Sequence, residues 1–211
     1  MLIKYDKIIL ILLALKERTL LMISKIKDTF LYQSNFLSSL LESDLANHIE
    51  NSCNILIKSL KMGNKILIAG NGGSAADAQH FAAELVGRFM KERKGLPAIA
   101  LTTDTSILTS VANDYSYENV FGRQVEAIGK EGDVFIGFST SGNSKSVLNA
   151  VIKAKENGMV TIGFLGKDGG KMLLVCDETV LIPNNVTARV QEIHEMVIHL
   201  MCEEIENRIF N

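Results

Sequence analysis

From 23 to 62 the apolar residues recur at helical spacing, as Phe36, Leu37, Leu40 and Leu41, then Ile49, Cys53, Leu56, Ile57 and Leu60. Asp44 or Asn47 marks the expected break between two helices, and Gly63-Asn64 ends the second. Then the period changes. A very short apolar strand is predicted at 65–69, followed by a glycine-rich turn and a helix from about 74 to 90. Further strands are predicted at 98–101, at 133–138 (DVFIGF), at 160–165 and at 179–182, the last closed by Pro183. A polar turn and a helix over 143–157 follow the DVFIGF strand, and a long helix covers about 187–208. Strands alternating with helices imply a parallel sheet covered on both faces. The expected fold is therefore α/β: one doubly wound domain, undivided by linker, low-complexity tract or repeat, behind an N-terminal helical arm.

The segment before this pattern is ambiguous. An apolar run, IILILLAL at 8–15, follows Lys4 and Lys7 and meets Lys16, Glu17 and Arg18 directly. It has no small-x-small cleavage site nearby and is far shorter than the ~20 apolar residues that span a bilayer. Two readings stay open: a helical extension that packs on a neighbour, or translation that starts at Met22. The expected division is 1–21 as an N-terminal extension and 22–211 as the single domain with its N-terminal helices.

Composition narrows the function class. A chain of 211 residues, 47% hydrophobic and 22% charged, can bury a core without disulfides or metals. A formal net charge of -2 gives no support to nucleic acid or an anionic membrane as a partner. Cys53, Cys176 and Cys202 are far apart and form no C-x-x-C, which reads as reduced thiols in a cytoplasmic protein.

Two turns carry candidate chemistry. Gly70-Asn71-Gly72-Gly73-Ser74 lies between a strand and a helix, where glycines let backbone N–H groups approach an anion at a helix N-terminus. The plainer alternative is a tight turn capped by Ser74. The spacing is neither a Walker loop nor G-x-G-x-x-G. Ser139-Thr140-Ser141-Gly142-Asn143-Ser144 occupies the same kind of place after the DVFIGF strand. Ser141 or Asn143 would serve as a cap, but four hydroxyls in six positions exceed what a cap needs and suit a phosphate dianion.

Two helices carry the rest. His80 and Glu84, at i and i+4, share a face and can bind one metal ion or share a proton-transfer role. A surface ion pair is the bland alternative. On the last helix Gln191, Glu195 and His199 form a stripe among apolar faces; for Glu195 the sequence favours solvent.

The segments AGNGGSAADAQHFAAELVGRF, STSGNS and TARVQEIHEMVIH, in this order and spacing, resemble those of phosphoheptose isomerases in the SIS (sugar isomerase) superfamily. The resemblance runs from about Met22 to the C-terminus. It implies a flavodoxin-like, three-layer αβα sandwich and a homotetramer with active sites between subunits. It implies a zinc ion surrounded by His80, Glu84, Gln191 and His199. It further implies a sugar phosphate held by Asn71, Gly72, Gly73, Ser74, Asn113, Asp114, Ser139, Thr140, Ser141 and Ser144, with Glu84 and Gln191 also against the substrate. His194 belongs to the motif without a catalytic role. The implied reaction converts sedoheptulose 7-phosphate to D-glycero-D-manno-heptose 7-phosphate through an enediolate, for bacterial surface-polysaccharide heptose. Glu84 is the candidate base and His199 its acid/base partner. Ala188 stands where some relatives carry an acidic residue and receives no role. Two rivals are a non-catalytic SIS adaptor, expected to lack the Glu84–His199 pair, and a sugar-phosphate-sensing regulator, which usually carries a DNA-binding module not visible here.

Overall fold

The computed structural model describes the backbone of residues 2–210 and the side chains of 13 and of 15–210. The chain divides into two units, Met1–Asp44 and Leu45–Asn211. The first is built on one 39-residue helix, α1 (Leu2–Leu40). Met22 sits inside this helix rather than at an element boundary, and Leu20, Leu21, Met22, Ile23, Ile26, Phe30 and Leu31 are exposed along it. Most side chains of the apolar run at 8–15 lie outside the described residues.

The second unit is the α/β domain. It opens with α2 (Leu45–Lys61), so Asp44 immediately precedes the second helix and Asn47 lies within it. Five strands follow: β1 (Ile66–Ala69), β2 (Ala98–Ala100), β3 (Val134–Ser139), β4 (Val160–Gly166) and β5 (Glu178–Ile182). All pair in parallel, in the order β2-β1-β3-β4-β5. The connecting helices are α3 (Gly73–Val86), α4 (Thr105–Asp114), α5 (Gly122–Ile128), α6 (Lys145–Glu156) and α7 (Thr187–Ile209). The strands match the expected ones to within a residue or two at each end, and α4 falls on an apolar helical segment before Asn113-Asp114, whereas α5 has no counterpart in the sequence pattern.

Side-chain alternation explains the two covered faces. Leu67, Ala69, Phe135 and Leu165 join a core with Val120, Phe121, Val125, Val147, Ala150 and Val151 from the α5 and α6 side. Phe138 and Phe164 point the other way, where Phe164 meets Phe81 of α3 and both meet His194 of α7. Contacts of α7 with α2 and with α3, and of all three with the sheet, complete that layer. Each such ring removed from water contributes about 1.5–3 kcal/mol.

The chain leaves β1 toward β2 on one side and resumes at β3 on the other. The turns after β1 and β3 therefore open on the crevice where strand order reverses, the place where open parallel sheets bind ligands.

Candidate active site

Gly72 has φ +58 and forms the start of α3, with no side-chain cap. The helix thus begins before Ser74, which corrects the expectation that Ser74 caps it. Ser74 is buried within the first turn, and its hydroxyl accepts a hydrogen bond from Gln191 Nε2 at 3.4 Å. A Cβ on Gly73 would lie 2.4 Å from that same Gln191 nitrogen, so a side chain here would push the Gln191 amide out of its place beside Ser74. In the second loop, Gly142 has φ +61 and a Cβ there would overlap the Gly169 carbonyl oxygen. The helix that follows is capped by neither Ser141 nor Asn143: α6 starts at Lys145 after Ser144, again without a side-chain cap bond. Asn143 instead spans its own turn, donating to Ser141 O at 2.8 Å and accepting from Lys171 N at 3.1 Å.

Asn71 joins the two loops. Its Nδ2 donates to Ser144 Oγ at 2.7 Å and Ser146 Oγ at 2.9 Å, and its Oδ1 accepts from Tyr117 Oη at 2.7 Å. Ser139 and Ser141 hydroxyls lie 3.5 Å apart, and Ser139 Oγ also accepts from Ser144 N at 3.4 Å. Backbone amides and hydroxyls from both loops are thereby gathered on one rim. Asn113 and Asp114 end α4 and bond to each other at 2.9 Å. Tyr117 and Ser146 were missed in the sequence, where nothing links them to residue 71.

The second half of the site lies between α3 and α7. His80 Nε2 is 3.1 Å from Glu84 Oε1 and 3.2 Å from His199 Nε2. His80 Nδ1 is 2.7 Å from Glu195 Oε1. Glu195, expected to face solvent, is 33% exposed and engaged, because α3 runs alongside its stripe on α7. Asp77, one turn before His80, has a buried Oδ2 without a partner. Burial, and then the charge of Glu195, pushes its carboxyl up to about 6, against the pull of His80.

Phe89 stacks on His199, with ring centroids 5.6 Å apart and planes 25° from parallel. The expected helix to residue 90 in fact ends at Val86, since Gly87 breaks it. The chain beyond is pinned: Glu206 accepts backbone N–H bonds from Phe89, Met90 and Lys91 at 2.8, 2.9 and 3.0 Å, and pairs with Arg93 in the interior. Burial opposes ionisation of Glu206, but these donors hold its carboxyl below the usual range. Arg93 in turn donates to the Glu84 carbonyl at 2.8 Å, tying the clamp to the candidate base.

Part of the donor set, His80 with Glu84 and with His199, has the spacing of ligands that share a divalent ion. Ligands at the 2.0–2.1 Å typical of zinc–nitrogen bonds stand about 3.3 Å apart in a tetrahedron, close to the separations around His80 Nε2. Gln191 lies one turn further along the α7 stripe, beside Ser74. Among the described residues, His80, Glu195 and His199 form a group whose ligand atoms all lie within 4.8 Å of one another.

The comparisons with known proteins give the family. Residues 29–166 match the SIS domain model. The phosphoheptose isomerase of Clostridium acetobutylicum is 57% identical over 77% of this chain and 83% of its own length. That of Helicobacter pylori strain P12 is 55% identical over 86% of this chain and 94% of its own. The chain belongs to the phosphoheptose isomerase family of SIS-domain proteins. It is thus a member of a group of sugar-phosphate isomerases. The solved structure of the phosphoheptose isomerase of Neisseria gonorrhoeae superposes on it with a TM-score of 0.82 at 42% identity, covering 87% of this chain and 98% of the other. That of Francisella tularensis gives 0.84 at 33% identity, over 88% and 98%.

Proposed function

We propose that this protein interconverts sedoheptulose 7-phosphate and D-glycero-D-manno-heptose 7-phosphate, in the cytoplasm, for bacterial surface-polysaccharide heptose. The observation that carries the reading is the juxtaposition of two hydroxyl- and amide-rich loops, joined by Asn71, with His80, Glu84 and His199 behind Gln191. Asn71, Gly72, Gly73, Ser74, Ser139, Thr140, Ser141 and Ser144 hold the phosphate end by neutral donors. Asn113 and Asp114 meet sugar hydroxyls.

The reaction moves a proton between neighbouring carbons. Glu84 takes one proton from C1 of the ketose, leaving an enediolate, and returns a proton to C2. His199 carries a proton between the two oxygens, which completes the exchange of carbonyl and hydroxyl. Phe89 keeps the His199 ring at a fixed tilt for this. His80, Glu84, Gln191 and His199 would hold a zinc ion, which supplies polarisation of the carbonyl and stabilisation of negative charge on oxygen. The working unit is a homotetramer with sites between subunits; exposed Val86, Met90, Met196 and Leu200 on and beside α3 and α7 offer apolar surface for it. The cytoplasmic placement agrees with the described residues, where no helix is long and apolar enough to cross a membrane.

The test is direct. Purified protein is incubated with sedoheptulose 7-phosphate, and the aldoheptose phosphate is sought by NMR. No conversion of any heptose or hexose phosphate, together with binding of a protein partner, would replace this reading with a non-catalytic SIS adaptor.

A further inference from the structure

His80 stands between two carboxylates, and its two nitrogens meet different neighbours. A neutral imidazole carries one N–H, and which nitrogen bears it is set by the partner of each. Glu195 Oε1 lies 2.7 Å from Nδ1, within the range of a charge-assisted hydrogen bond. Nε2 faces Glu84 Oε1 at 3.1 Å and His199 Nε2 at 3.2 Å. Two donors that share one cation through bonds of 2.0–2.1 Å stand about 3.3 Å apart. The spacings at Nε2 suit that, and the 2.7 Å at Nδ1 is too short for it. Glu195 Oε1 thus meets His80 on the Nδ1 side of the ring, at the length of a hydrogen bond rather than of a shared cation, and is 3.8 Å from His199 Nε2.

We propose that Glu195 is a positioning residue: it accepts the Nδ1–H of His80, fixes the ring's tautomer and rotation, and so presents the Nε2 lone pair to the cation shared with Glu84 and His199. This rests on the metal site of the proposed function. Outer-shell carboxylates of this kind typically contribute 10–100-fold to metal affinity. Gln191, Glu195 and His199 are four residues apart on α7, so one helix stripe holds two ligands and, between them, the residue that orients a third on α3.

Two readouts decide it. In the metal-free protein at pH 8, imidazole 15N shifts of His80 should show the Nδ1–H form in the wild type. They should show a mixture or the other tautomer in Glu195→Ala. Competition against a chelator should find zinc bound about 10–100-fold more weakly by Glu195→Ala. Glu195→Gln keeps an acceptor for Nδ1–H, so it should retain the tautomer and most of the affinity, and it also serves if the alanine variant folds poorly. An unchanged tautomer and unchanged affinity in Glu195→Ala overturn the proposal. So does near-complete loss of zinc in both variants while Glu84→Gln binds normally, which would make Glu195 the ligand. If the wild type binds no zinc, the metal reading fails, and the 15N tautomer alone decides whether Glu195 sets His80.

Discussion

His194 and His199 lie five residues apart on α7, which turns them about 140° from each other around the helix. His194 is fully buried. Phe138 and Phe164 meet its ring edge-on, and its Nε2 bonds to the Leu165 carbonyl at 3.1 Å. His199 is 43% exposed and meets His80 and Phe89. One imidazole fills the layer between helix and sheet, and the other faces the crevice. The same side chain on one helix is thus a core residue or a candidate acid/base group, according to which way the helix presents it.

The sharpest way to break that contrast is to remove each role in turn. His199→Asn and Glu84→Gln should lower kcat by ~10²–10⁴ while melting temperature stays close to wild type, because both groups work at a half-open surface. His194→Gln should do the reverse, costing about 1–3 kcal/mol of stability through a disturbed buried hydrogen bond while kcat changes little. Steady-state kinetics and thermal melts of the three variants check this; wild-type turnover by His199→Asn would end the proposed mechanism.

The next effect is on pH. Burial pushes the His194 imidazole down to about 4, outweighing its bond to Leu165 O. Unfolding lets the ring bind a proton near its ordinary pKa of about 6.5, so the unfolded state gains protons first as pH falls. This group's stabilisation is therefore complete above about pH 7 and lost between about 6.5 and 4, up to about 3 kcal/mol. Denaturant unfolding at a series of pH values should show this slope in the wild type and a shallower one in His194→Gln.

The smallest expected effect concerns the loops. Ser141→Ala removes one donor that serves ground and transition states alike, so KM for the sugar phosphate should rise several-fold with kcat nearly unchanged. A fall in kcat with KM constant would move Ser141 out of phosphate binding.

The sheet was legible because its strands are short, largely apolar runs, most of them beside a glycine or proline, as in DVFIGF before Ser139. α4 was legible only as an apolar helical segment before Asn113, without bounds, since only Val111 of its ten residues is buried. α5 spans only seven residues, Gly122–Ile128. The candidate residues on α3 and α7 were visible as i,i+4 stripes, yet one helix cannot reveal what stands opposite it. Glu195 therefore read as solvent-facing until α3 supplied His80. Asn71 was found as part of a glycine turn, but its bonds to Ser144, Ser146 and Tyr117 join residues 46 to 75 positions away. The Ser74 cap failed for a local reason: Gly72 at positive φ starts the helix first.

The central claim is that this crevice moves a proton between neighbouring carbons by way of Glu84. Isomerisation run in D₂O tests it most directly, with deuterium at C1 and C2 of the heptose phosphates followed by NMR. The account predicts deuterium on carbon with the wild type and none with Glu84→Gln, although the variant still binds the sugar phosphate. Equal incorporation by both proteins, or none by the wild type, would contradict it.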